Sequence, residues 1–301
     1  MVIMVTGGSG FIGSHVVEAL LKHDFDVRVL DMSAPSITGV DWFKCDLLSK
    51  DEIQKGMRDV EAVFHLAAIA DVNVAVTDPE LCLKVNELGT LNLLRACSGV
   101  DVDRITLAST VWVYGRTIGA VTESTPIPAP TDIYTKTKIG QEHLVQSWSE
   151  SHSLPYTILR YDIPYGPRMR SNMAIAAFVR KAMRDEPITM FGDGRQGRCW
   201  IYATDLADAN VLALNEKARN EIFNVAGNEF VTISQIIELI SRKIHPVKVN
   251  QQPLRTGDFA GVRTNIEKAS NILGWVPKTS FEAGLQKYVD YAVNPANPKP
   301  M

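Results

Sequence analysis

Three sets of residues in this chain have types and spacings that do chemistry. The first is Gly7-Gly8-Ser9-Gly10-Phe11-Ile12-Gly13, with Asp31 eighteen residues beyond it. A glycine turn that opens a helix aims backbone N–H groups at one point, which suits a pyrophosphate. Gly8 would let the chain turn, Gly10 would let backbone approach phosphate, and Gly13 would let helix pack on strand. Asp31 stands where an acidic side chain accepts hydrogen bonds from a ribose 2′-hydroxyl. Together these residues point to a bound dinucleotide. The second set is Tyr134 and Lys138, four apart and so on one helix face. An ammonium beside a phenol favours the phenolate and would tune Tyr134 for proton transfer. The third is Ser109-Thr110, two hydroxyls at a strand end. They either meet a ligand or satisfy turn backbone.

The elements that must position these residues alternate along the chain. Strand-like runs fall at Val2–Val5, Asp26–Leu30, Val63–Leu66, Arg104–Leu107 and Thr157–Arg160. Helical patterns lie near 13–23, 50–57, 79–98 and 134–152. Such alternation predicts an α/β fold, a Rossmann-like doubly wound parallel sheet with helices on both faces. Ligands then sit beyond the carboxyl ends of the strands, at the loops starting at Gly7, Asp31, Ala67, Ala108 and Tyr161. Past Gly166-Pro167 the alternation weakens. A helix over 172–183, a turn at Gly192-Asp193-Gly194, a strand at Cys199–Ala203 and helices over 205–214, 233–244 and 281–292 read as a smaller C-terminal substrate-binding lobe. The expected division is 1–167 for the dinucleotide-binding domain, rejoined by about 200–222, and 168–301 for the lobe.

Bulk properties narrow the classes. The chain has 301 residues, is 46% hydrophobic and carries a net charge of −3. It has the means for a large core and no basic excess for nucleic acid or an anionic membrane. No apolar run reaches the ~18 residues that span a bilayer, and the early glycine turn does not resemble a secretory leader. Cys45, Cys82, Cys97 and Cys199 are scattered without metal-ligand spacing, as expected of reduced thiols in a cytoplasmic protein.

Ordered motifs add a resemblance. They are Thr6-Gly7-Gly8-Ser9-Gly10-Phe11-Ile12-Gly13, His65-Leu66-Ala67-Ala68, Asn86-x-x-Gly89-Thr90, Val113-Tyr114-Gly115 and Tyr134-x-x-x-Lys138. Arg160-Tyr161, Tyr165-Gly166-Pro167, Asp205-Leu206-Ala207, Arg255-x-Gly257-Asp258 and Leu273-Gly274-Trp275-x-Pro277 follow in order. Over nearly its whole length the chain resembles the extended short-chain dehydrogenase/reductases, in the branch of nucleotide-sugar epimerases and dehydratases. Within it, the similarity is greatest to UDP-glucose (UDP-galactose) 4-epimerases. The resemblance implies NAD held by Gly7, Gly10, Phe11, Ile12, Gly13 and Asp31. Asp46 and Leu47 would lie at the adenine, and Ala67 and Ala68 at the nicotinamide. It implies Thr110 on the sugar O4, Tyr134 as acid/base, and Lys138 as its electrostatic partner and a ribose ligand. Asn172, Arg198, Arg255 and Asp258 would surround the nucleotide diphosphate, where Arg matches phosphate bidentately. It also implies a homodimer built on the helices near 79–98 and 134–152, with Leu83, Leu91, Ile139 and Val145 as candidate apolar positions.

Departures from that pattern shape the expected chemistry. Val111-Trp112 stand where related dehydratases have Asp-Glu, which disfavours dehydration and decarboxylation. Ile163 replaces a usual Asn, Cys199 replaces a usual Asp, and Asp162 and Pro164 are atypical. Val262 falls where related epimerases border the sugar C2 substituent; its small size would leave room for an N-acetyl group, unless it is ordinary packing. The expected activity is NAD-dependent 4-epimerisation of a nucleotide sugar of the UDP-glucose/UDP-galactose type. The alternatives are a reductase or dehydrogenase of a nucleotide-linked keto sugar, and a non-catalytic NAD-binding regulatory protein.

Overall fold

The structure is a computed structural model that describes residues 1–117, 119–254, 260–294 and 297. Seven parallel strands form its central sheet. In chain order they are β1 (Val2–Thr6), β2 (Asp26–Asp31), β3 (Asp41–Lys44), β4 (Val60–His65), β5 (Arg104–Thr110), β6 (Tyr156–Tyr161) and β7 (Glu221–Val225). Across the sheet they run β7-β6-β5-β4-β1-β2-β3. The order reverses between β1 and β4, where Thr6 lies opposite His65. That switch point opens the crevice in which ligands of such sheets bind.

Side-chain alternation along each strand explains the layers. Ile3, Val5, Val27, Val29 and Phe64 point to one face and pack on Val16, Val17 and Leu20 of helix α1 (Phe11–Lys22). Met4, Leu30, Val63, Ile105 and Leu107 point to the other. There they meet Ile53 of α2 (Lys50–Gly56), Leu93 and Leu94 of α3 (Gly89–Cys97), and Val145 of α4 (Ile133–His152). Strands buried on both faces need helices on both faces. A separate core of Ile175, Val179, Ile188, Trp200, Ile236, Ile240, Phe281 and Leu285 fills the C-terminal lobe.

Several elements differ from the sequence expectations. Edge strand β3 reads Asp-Trp-Phe-Lys and is mostly exposed, so it carries little apolar signal. The segment 203–212 is helical from Ala203 onward, which leaves only Ile201–Tyr202 of the expected strand. The helix near 79–98 is interrupted: Pro79–Leu83 is α-helical, Lys84–Leu88 is a π turn, and α3 follows. Val145 is buried in the sheet-facing core, so it cannot belong to an outer apolar surface; Leu81 and Leu88 are the more exposed leucines there, at 37% and 43%. Among the described residues no helix is long and apolar enough to cross a membrane.

Candidate functional site

The glycine turn is built at the switch point. Gly7 has φ +70°. A Cβ there would lie 2.8 Å from the backbone of Ala67. Gly7, not Gly8, therefore makes the turn; a Cβ on Gly8 would instead press on Val29. On Gly13 a Cβ would sit 2.0 Å from the Gly7 carbonyl oxygen, so only glycine lets α1 pack this close to β1. Gly10 precedes α1, and no side chain caps that helix start. First-turn N–H groups without a side-chain cap are what an anionic ligand would use. Phe11 and Ile12 form the first turn, Phe11 edge-on to His15 and Ile12 against both neighbouring cores.

Asp31, at the end of β2, reaches the same place. Its Oδ2 accepts from Ser9 N at 3.1 Å and its Oδ1 from Ser33 N at 3.0 Å. Asp46 is half-buried and its carboxylate receives Leu48 N, while Leu47 is buried against Gly89. Ala67 N donates to Thr6 Oγ1, and Ala68 follows at the half-buried end of β4. The structure thus collects Gly7, Gly10, Gly13, Asp31 and Ala67 around one crevice.

Tyr134 and Lys138 stand on α4, whose N-cap Asp132 accepts from Thr135 N at 2.8 Å. The prolines before it cannot extend the helix, so Asp132 sets where it starts. The Tyr134 phenol lies at the Thr110 side chain, and Trp112 lies edge-on to its ring at 6.3 Å. Burial pushes the phenol above its ordinary value; Arg170 and the Thr110 hydroxyl pull against that rise. Lys138 follows one turn along the same helix. Its Nζ donates to the Ala108 carbonyl at 2.9 Å, and burial lowers its own pKa to about 8. Ser109 turns away and donates to Glu142, so of the two hydroxyls only Thr110 faces Tyr134.

On the substrate side, Asn172 donates to Asp71 at 2.7 Å and Arg170 lies 3.7 Å from the same carboxylate. Two loops far apart in sequence are joined there. Arg198 lines a cleft with Trp112, Asp132 and Thr135. Arg255 and Asp258 lie outside the described residues. Val262 is buried with Val111, Val113, Tyr114 and Val121.

Sequence reasoning missed the supports beneath the site. His65 bridges Thr6 Oγ1 and Thr90 Oγ1, each at 2.8 Å, and burial holds it neutral, down to about 3. Asn86, in the π turn, bonds both backbone groups of Ile69. Arg170 and Asp71 carried no spacing signal, because loops far apart in sequence bring them together.

A model of the NAD dependent epimerase/dehydratase family matches residues 3–226. The chain belongs to that family. A putative UDP-glucose 4-epimerase of Methanocaldococcus jannaschii is 32% identical over 305 residues, covering 97% of this chain and 98% of that protein. The Thermus thermophilus UDP-glucose 4-epimerase in complex with NAD has a TM-score of 0.90 and 34% identity, covering 96% and 98% of the two chains. The Bacillus cereus UDP-glucuronic acid 4-epimerase, in complex with UDP-glucuronic acid and NAD, has a TM-score of 0.90 and 33% identity, covering 97% and 98%.

This epimerase/dehydratase family is NAD-dependent, and the crevice fits the cofactor. Gly7, Gly10 and Gly13 form a cradle that side chains would fill. Asp31 offers an acceptor at its rim. Within the family's variety, Val111 is buried and Trp112 leans on Tyr134. Neither side chain has a carboxylate for removing a sugar proton.

Proposed function

We propose that the protein is an NAD-dependent nucleotide-sugar 4-epimerase of the UDP-glucose/UDP-galactose type. The observation that carries this is the meeting of the Thr110 side chain, at the carboxyl end of β5, with the Tyr134 phenol, and Lys138 one turn along the same helix. NAD, when bound, supplies hydride acceptance at the sugar C4 and its return. Tyr134 takes the O4 proton and later gives it back. Thr110 holds O4, and Lys138 supplies the positive charge that makes the phenolate accessible. Asn172, Arg198, Arg255 and Asp258 hold the nucleotide diphosphate end, so the sugar can present either face. The lobe over 168–301 provides that grip, and 1–167, rejoined by about 200–222, provides the cofactor domain.

The test is a panel of UDP-glucose, UDP-galactose, UDP-glucuronate and UDP-N-acetylglucosamine with product analysis. Interconversion of the C4 epimers without net change of NAD supports the reading. Net oxidation or reduction would establish the reductase alternative, and no turnover of any sugar would establish a binding role. Arg170 favours a second reading within the same reaction. A guanidinium that acts on the Tyr134 phenol suits a sugar bearing a carboxylate. If the substrate is a uronate, Arg170→Met lowers kcat/KM for UDP-glucuronate by about 10–100-fold, the worth of a charged hydrogen bond, and that for UDP-glucose by much less. Equal effects on both sugars would exclude it.

Asp31 sets cofactor choice. Its carboxylate repels a 2′-phosphate, so the protein is expected to prefer NAD over NADP, and Asp31→Ala to weaken that preference. Titration of both cofactors measures this, and equal binding by the natural protein contradicts it. We further infer a twofold homodimer formed on the outer faces of α4 and the helices over 79–97, where Leu81 and Leu88 are exposed. Sedimentation as a monomer at micromolar concentration would defeat that. Four free, buried cysteines accord with a reducing, cytoplasmic setting.

A further inference from the structure

Helix α4 places Tyr134, Lys138 and Glu142 four residues apart on one face. Opposite them are three consecutive residues at the end of β5. Tyr134 meets the Thr110 hydroxyl, Lys138 donates to the Ala108 carbonyl, and Ser109 Oγ donates to Glu142 Oε1. Arg160 of β6 completes the set: its Nε donates to Glu142 Oε1 at 3.0 Å and its Nη2 to Oε2 at 2.7 Å. Both side chains are 3% exposed. The acid/base chemistry uses Tyr134 and Lys138 and leaves this buried ion pair without a role.

Folding alone is a weak reason for such a pair, since apolar residues often serve as well. Two features of its position point further. Ser109 immediately precedes Thr110, so anchoring its hydroxyl fixes how the strand end presents Thr110. Lys138 is buried, which disfavours its ammonium form. The titratable groups acting on it or feeling its charge are Glu142 on α4, Cys82 on the Pro79–Leu83 helix and His65 on β4, with Tyr134 one turn back on α4. Burial keeps His65 neutral and raises the Cys82 thiol, so both stay uncharged near neutral pH. The charge that opposes burial at Lys138 is that of Glu142.

We propose that Glu142, clamped by Arg160, is a positioning residue for the reaction: it keeps Lys138 an ammonium and, through Ser109, keeps Thr110 aimed at Tyr134. The proposal rests on the reading of Tyr134 and Lys138 as the acid/base pair.

The experiment compares kcat and KM against pH for the natural protein, Glu142→Gln, Ser109→Ala and Tyr134→Phe, on whichever UDP-sugar of the panel is turned over. Glu142→Gln keeps the side-chain shape and removes the charge. Lys138 then loses its proton at lower pH, so the alkaline limb of kcat moves down by about one pH unit or more. Ser109→Ala removes one oxygen and keeps both charges. It is expected to lower kcat about ten-fold, within the range of a misplaced reacting group, with KM little changed and the alkaline limb in place. A folded Glu142→Gln whose limb stays put, with only a lower melting temperature, would overturn the proposal. So would natural kcat in Ser109→Ala, which decides the matter if Glu142→Gln does not fold. Natural turnover in Tyr134→Phe is a separate result: it would overturn the acid/base reading itself, and the proposal with it.

Discussion

Tyr134→Phe is expected to lower turnover by about 10²–10⁴, the range for removal of a general acid/base. The ring keeps its place, because its edge contact with Trp112 does not involve the hydroxyl. What is lost is the hydroxyl that lies at the Thr110 side chain. Burial raises the phenol's pKa, so the resting group is protonated and must be drawn toward phenolate by positive charge nearby. Arg170 is a cation placed to do so, and Lys138 is the second on the proposed reading. NAD content of the purified variant should equal that of the natural protein, since the glycine cradle and Asp31 lie on other elements. Loss of turnover with NAD retained assigns the defect to proton transfer. Near-natural turnover in a folded variant would remove Tyr134 from the mechanism.

Much of the frame was legible in the sequence for a simple physical reason. Strands in the middle of such a sheet carry short apolar runs, such as Val2–Val5 in β1 and Ala62–Phe64 in β4, between few polar residues. The glycine turn was legible because short, fixed spacing forces it. Its inner assignment was not: whether Gly7 or Gly8 turns depends on how close Ala67 comes, which is a tertiary fact. β3 was hidden because an exposed edge strand needs no apolar face. The Tyr134–Lys138 spacing correctly placed both on one helix face but not their partners. Lys138 also donates to the Ala108 carbonyl, and a further cation acting on Tyr134 comes from residue 170, in another loop. Local spacing reports what one helix presents; it carries nothing about which distant loop closes over it. The same limit hid the pairing of Asn172 with Asp71 and of Arg160 with Glu142.

Arg160→Met is expected to destabilise the fold by about 3–5 kcal/mol, the cost of stranding one partner of a buried ion pair. At roughly 2–4 °C per kcal/mol, the melting temperature falls by about 6–20 °C. The geometry supports the high end. Glu142 loses two hydrogen bonds at once and stays sealed from water with only Ser109 as donor. Tyr114 loses the guanidinium that donates to its hydroxyl at 2.9 Å. Contrast the Lys84–Glu80 pair: it is shorter, at 2.6 Å, yet both side chains are more than half exposed. Breaking it should leave the melting temperature within error, because water solvates what the pair releases. Burial, not distance, ranks the two. The double variant Arg160→Met with Glu142→Leu tests the cause, since it removes the stranded charge and should recover part of the loss. Thermal melts of the three proteins measure it. A double variant no more stable than Arg160→Met would show that lost packing around β6, and not an unpaired carboxylate, makes Arg160 necessary.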